Sequence, residues 1–216
     1  GDILITTGEW GGNIILTNST LTAETAGHKV DLSAAGGHIE QVKVERTIVV
    51  NGNEVKSLLP SGLISASRLV ADADNGLTLN AAVGTVDMAL NSAGNIELFN
   101  KGDLNLNHVE AADGAIDIKT FGNLTATYVH ASGSGDRNDI SLTTYNAGAG
   151  TADLTIKDVV TGTRGDLAFN VQGLIKLDNA GAAMTADSLA ITVAGGLTMK
   201  TQINSLSLET IRAGNV

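Results

Sequence analysis

Apolar and polar residues alternate along this chain in short bursts, and the bursts repeat one phrase: a glycine, then usually Asp or Asn, then apolar-x-apolar. It stands at Gly94-Asn95-Ile96-Glu97-Leu98, Gly102-Asp103-Leu104-Asn105-Leu106, Gly114-Ala115-Ile116-Asp117-Ile118 and Gly122-Asn123-Leu124-Thr125-Ala126. Further copies begin at Gly1-Asp2-Ile3, Gly12-Asn13-Ile14 and Gly165-Asp166-Leu167. Looser ones fall at Leu77/Leu79, Val86/Met88, Ile140/Leu142, Leu154/Ile156, Ile175/Leu177, Leu189/Ile191 and Leu197/Met199. A period of two over four or five residues predicts a strand with one buried face, and no window sustains a helical period.

The spacing of the phrases predicts how the strands stack. Leu77, Ile96, Ile116, Ile140, Leu167 and Leu189 follow one another at intervals of 19, 20, 24, 27 and 22 residues, which is one turn of a solenoid with loops of variable length. Superposing Leu104, Leu124 and Leu154 also superposes Leu106, Ala126 and Ile156, then Val109, Val129 and Val159. Three strands per coil follow. The expected fold is all-β: a single-stranded right-handed parallel β-helix over residues 1–216, of roughly nine or ten coils and about 45 Å long at the inter-strand spacing.

The corners have their own chemistry. Glycine takes positive φ without steric cost, and Asp or Asn bonds local backbone, so Gly-Asx before a strand is a turn. Stacked turns also place side chains such as Asn95 and Asn123 within reach of the neighbouring coil.

Residues 38–62 break the rhythm. Asn51-Gly52, between Thr47-Ile48-Val49-Val50 and Asn53-Glu54-Val55-Lys56, is a two-residue hairpin turn. Pairing across it puts Val44, Ile48, Val50, Val55 and Leu59 on one face. The other face carries Glu45, Thr47, Glu54 and Lys56, with Val49 and Leu58. Two roles are open to this insertion: a flap that shields one flank of the solenoid, or a partner-binding element formed by Glu45, Thr47, Val49, Asn51, Gly52, Glu54 and Lys56.

Composition narrows the partners. Of 216 residues 43% are hydrophobic, yet there are only one Trp, two Tyr and three Phe, so the core must be aliphatic. A net charge of −10 with no basic cluster argues against nucleic acid and anionic membrane surfaces. No cysteine is present, which removes disulfides and thiolate metal sites, and no apolar run reaches the length of a membrane span.

These phrases resemble the haemagglutinin repeats of filamentous-haemagglutinin-type adhesins, long parallel β-helices that Gram-negative bacteria export by two-partner secretion. The resemblance covers most of the chain outside residues 38–62; no Asn-Pro-Asn-type motif of the family's secretion domain occurs, Pro60 being the only proline. It implies a secreted or cell-surface protein whose work is mechanical and adhesive, with a host-cell or glycan ligand. The phrase at Gly1-Asp2-Ile3 and the half-phrase Gly214-Asn215-Val216, with no polar cap at either end, lead us to expect neighbouring coils of a parent chain, or like subunits, end to end.

Candidate chemistry is sparse, and we expect no catalytic residue, metal or cofactor. In the superposition His108 falls over Tyr128 and Glu110 over His130, a stacked surface group that needs no metal. Asp72-Ala73-Asp74-Asn75-Gly76 resembles the start of a calcium loop, but Val83 stands where the closing Glu belongs. Parallel β-helices also include polysaccharide-degrading enzymes, the alternative reading along with a self-associating filament subunit; here the arginines are scattered, and Asp117 is expected to face solvent. A threonine array for ice binding fails because Thr125 and Thr155 are flanked in their column by Asn105, Lys176 and Thr198. Asn18 and Asn123 head formal glycosylation sequons only.

Overall fold

The computed structural model describes residues 1–8, 11–23, 26–50, 53–146, 151–178, 183–198 and 202–210. Among them there is no helix. Twenty strands form one continuous sheet in which every pairing is parallel, and two more form a separate antiparallel hairpin. The chain is therefore a parallel β-helix with three strands per coil and one hairpin outside it.

One coil shows the plan. Ile116–Phe121 lies on the first face, Leu124–Ala126 on the second and Val129–Ala131 on the third, before Ile140–Tyr145 returns to the first. Ile116 pairs with Ile140, Leu124 with Leu154 and Val129 with Val159. Earlier coils are less segmented: Leu77–Ala93 is a single 17-residue strand that turns the corners without interruption.

Through the body of the solenoid alternation buries one side of the strands, as in Lys29–Ala34 and Ile116–Phe121. On the first face Ile14, Ile39, Leu77, Ile96, Ile116, Ile140, Leu167, Leu189 and Leu206 stack as successive Cα partners. From Ile39 to Leu189 each is at most 1% exposed. Nine layers at the inter-strand spacing span about 40 Å. Each fully buried aliphatic side chain contributes about 1.5–3 kcal/mol relative to exposure. Because the stack is continuous, the core runs along the axis instead of collecting at a centre.

One column inside this core turns polar over three successive coils. Ile64, Ala81, Asn100, Thr120, Thr144, Val171 and Val193 are successive partners, and Asn100, Thr120 and Thr144 are fully buried. They lie where the chain turns from the first face to the second, and they satisfy that corner's backbone. Asn100 Oδ1 accepts from the Val83 N–H at 3.0 Å and its Nδ2 donates to the Gly102 carbonyl at 3.1 Å. Thr120 Oγ1 donates to the same carbonyl at 2.6 Å, and Thr144 Oγ1 to that of Ala152 at 2.5 Å.

The Gly-Asx corners knit coil to coil. Before the second face, Asp103 Oδ1 accepts from Asn123 N–H, Asn123 Oδ1 from Asp153 N–H and Asp153 Oδ1 from Leu174 N–H, at 2.7, 3.0 and 2.9 Å. Before the first face, Asn95 Oδ1 accepts from Ala115 N–H, Asp139 from Asp166 N–H and Asp166 from Ser188 N–H. The glycines serve two needs. Gly102 has φ +94° with open space around it, whereas a Cβ on Gly114 would overlap the carbonyl oxygen of Gly94 in the coil below.

Candidate functional site

The hairpin leaves the solenoid between its first and second faces. Ile39–Gln41 still belongs to the coil, pairing with Ile14–Leu16 on one side and Leu77 on the other. The excursion itself comprises Lys43–Val50 and Asn53–Pro60. Its root is closed by the Ser61 N–H donating to the Val42 carbonyl at 2.7 Å, with the Val42 N–H on the Leu16 carbonyl at 3.1 Å. Lys43 forms an ion pair with Glu97, two coils further along the first face, so the hairpin is clasped to the rod.

The register runs from Lys43 opposite Pro60 to Val50 opposite Asn53, with Val44 against Leu59 and Ile48 against Val55. The predicted binding residues divide accordingly. Glu45, Thr47, Glu54 and Lys56 stand exposed, and Lys56 Nζ reaches Glu45 Oε1 at 3.4 Å. Val49 lies in the first strand opposite Glu54. Asn51 and Gly52 lie outside the described residues.

Aromatic rings gather in two outward columns, of which the sequence announced only the stacking of His108 over Tyr128. Phe99 meets Phe121 edge-on at 5.3 Å between centroids, and Phe121 meets Tyr145 at 5.0 Å. On the third face His108 stacks on Tyr128 at 4.4 Å, and Tyr128 on His130 at 3.8 Å. Phe121 and Tyr145 each stand five residues after a first-face anchor, a regularity visible once the coil period is known. Burial holds both tyrosine hydroxyls above their ordinary pKa; Glu110 and then Asp158 add to this at Tyr128. His108, Tyr128 and His130 stack face on face, and Phe99, Phe121 and Tyr145 meet edge-on and tilted, so each column packs its rings against one another along the wall.

The histidines and carboxylates are likewise partnered. His130 Nε2 lies 2.9 Å from Asp158 and His108 Nε2 3.4 Å from Glu110. Glu97 and Asp117, Cα partners on adjacent coils, bring two outward carboxylates together, each held by a lysine, Lys43 and Lys119. Asp117 is thus half-buried in an ion pair rather than free in solvent. Among the described residues no group of three or more His, Asp or Glu side chains is placed to hold a metal ion.

A shallow depression of about 680 Å³ lies against the loop before Ile140, lined by Asp113, Gly133, Ser134, Gly135, Asp136 and Arg137. Arg137 grips Asp113 with two guanidinium nitrogens, Nε at 3.0 Å, and this holds the Asp113 carboxyl below the usual carboxylate range. Buried Asn138 ties the loop inward, accepting from Gly114 N–H and donating to the Gly135 carbonyl, both at 2.8 Å.

The fold and surface define a parallel β-helix with a clasped hairpin. No protein-family model matches the chain. No solved structure matches it either.

Proposed function

We propose that this chain is a stiff structural and adhesive segment of a large secreted or cell-surface bacterial protein, a shaft of the filamentous-haemagglutinin type. The observation that carries the reading is the nine-layer aliphatic column from Ile14 to Leu206, flanked by corner ladders. Every coil is bonded along its length to the next, so bending opens many contacts at once. Outward carboxylates held by lysines and rings that stack on one another are chemistry suited to a wall. In this reading the neighbours are further coils or like subunits, covering Leu206 and Leu208, which stand 56% and 37% exposed. The hairpin is the element that varies the otherwise uniform rod, and host-cell or glycan contacts are assigned to it.

Stretching single molecules between their ends tests the shaft. It should resist as a rod and then yield in steps of one coil, 19 to 27 residues between Leu77 and Leu189. A compliant chain that extends smoothly would overturn the reading. Deleting residues 46–58 and measuring attachment to cells and glycan arrays tests the hairpin: lost attachment by an intact rod supports binding, and unchanged attachment makes it a flap. Turnover of a polysaccharide that disappears in Asp117→Asn would replace the shaft with an enzyme.

A further inference from the structure

We infer that the outer edge of the second hairpin strand, Asn53–Pro60, is a self-docking edge: two copies pair these strands antiparallel about a two-fold axis at Val55. The inference rests on the reading of the hairpin as a binding element and names its partner as a second copy of this chain.

Backbone parity selects the edge. A two-residue connection makes Val50 and Asn53 a hydrogen-bonded pair. Pairs then alternate, so residues 54, 56, 58 and 60 turn their backbone groups away from the first strand. Two observations agree with that parity. Ser61 N–H donates inward to Val42, as an odd-numbered residue should. Pro60, which lacks an N–H, falls on the outward set, where no inner bond is lost.

The outward set therefore offers the N–H and C=O groups of Glu54 and Lys56 to a further strand. Among the described residues none pairs with them, the hairpin being a two-stranded sheet of its own. Such a ribbon is marginal in water, and a third and fourth strand stabilise it. Both side chains are exposed, Lys56 to 73%.

Charge complementarity selects the occupant. With the axis at Val55, Glu54 of one copy faces Lys56 of the other, and the reciprocal pair forms by symmetry. Both residues belong to the outward set, so this register also makes them the hydrogen-bonded pairs of the new ladder. Lys56 gives up its contact with Glu45, an exposed ion pair of little consequence. On the first strand the outward set is Lys43, Glu45, Thr47 and Val49, and Lys43 is already committed to Glu97. Among the described residues Lys56 meets only the exposed Glu45, so Glu54 and Lys56 are the matching charges available to a second copy.

Sedimentation across a concentration series tests this directly. The chain should form a dimer, and Glu54→Lys or Lys56→Glu should each weaken it at least about tenfold by setting like charges opposite one another. An equimolar mixture of the two variants should dimerise again, because one chain then carries two cations at this edge and the other two anions. The doubly substituted E54K/K56E chain should also dimerise. A chain that stays monomeric at all concentrations, or a dimer indifferent to these charges, overturns the edge; single-variant loss without rescue overturns the register. Micrographs of the same samples read the shaft separately, since a rod persists in every variant if that reading holds and is missing in all of them if it fails.

Discussion

The carboxylate of Asp103 accepts a hydrogen bond from the backbone N–H of Asn123, one coil further on, at 2.7 Å. Asn123 repeats the act toward Asp153. The polar residue of each Gly-Asx phrase thus satisfies the corner of the next coil, and the phrase recurs because each copy serves its neighbour.

Asn123→Ala should therefore lower stability by about 1–2 kcal/mol, since it strips the acceptor from Asp153 N–H and from Thr151 Oγ1. Asn123→Asp keeps that oxygen and should unfold close to the parent. Denaturant midpoints of the two variants decide the matter.

Gly114→Ala and Gly102→Ala separate the two uses of glycine. The first drives a methyl group into the Gly94 carbonyl and should prevent coils from stacking, seen as loss of the β-sheet circular dichroism signal. The second meets open space and pays only for left-handed backbone, about 1–2 kcal/mol.

Ile116 sits fully buried between Ile96 and Ile140. Ile116→Val should lose about 0.5–1.5 kcal/mol and Ile116→Ala about 2–5 kcal/mol. Ile116→Asp should not yield folded protein, because an unpaired charge would lie in the aliphatic column. Thermal melting of the series should follow that order.

Acid should loosen two identifiable contacts. Asp2 is held below its ordinary pKa of 3.8, mainly by the Lys29 N–H and then by His28, and Asp113 chiefly by Arg137. A carboxyl whose folded pKa is depressed adds stability above its unfolded value, and that stability is lost as pH falls through the folded value. The loss therefore lies below about pH 3.8. Arg137→Ala should flatten the acid limb of a stability–pH curve. Tyr128 and Tyr145 act with the opposite sign: burial raises both above 10.0, so their contribution is complete below that value and disappears as pH rises through the folded value. Absorbance titration of the tyrosinates should show ionisation delayed beyond pH 10.0 until the coils open.

Much of the architecture was legible from residues 94–124 alone, since alternation identifies strands and a spacing near twenty identifies the coil. The register of Leu104, Leu124 and Leu154, the Thr125/Thr155 column and His108 over Tyr128 all stand as expected. The root of the hairpin was harder to place. Gln41 occupies an inward position beneath Leu16, fully buried, with its Oε1 on the Asn80 N–H. A polar residue there ends the apolar alternation early, so the rhythm breaks at 38 although the coil continues to Gln41.

Asn100, Thr120 and Thr144 were hidden for the same reason, because a polar side chain in a strand reads as solvent-facing until its corner is known. The sequence by itself determined that strands form, which side of each is apolar, and that coils repeat about every twenty residues, because these depend on local periodicity. Only the tertiary structure decided that Lys43 clasps Glu97, that Phe99, Phe121 and Tyr145 make a column, and that Asn100, Thr120 and Thr144 turn inward. Lys43 and Glu97 stand 54 positions apart and Val83 and Asn100 17, and loop lengths that no local rule predicts bring such pairs together.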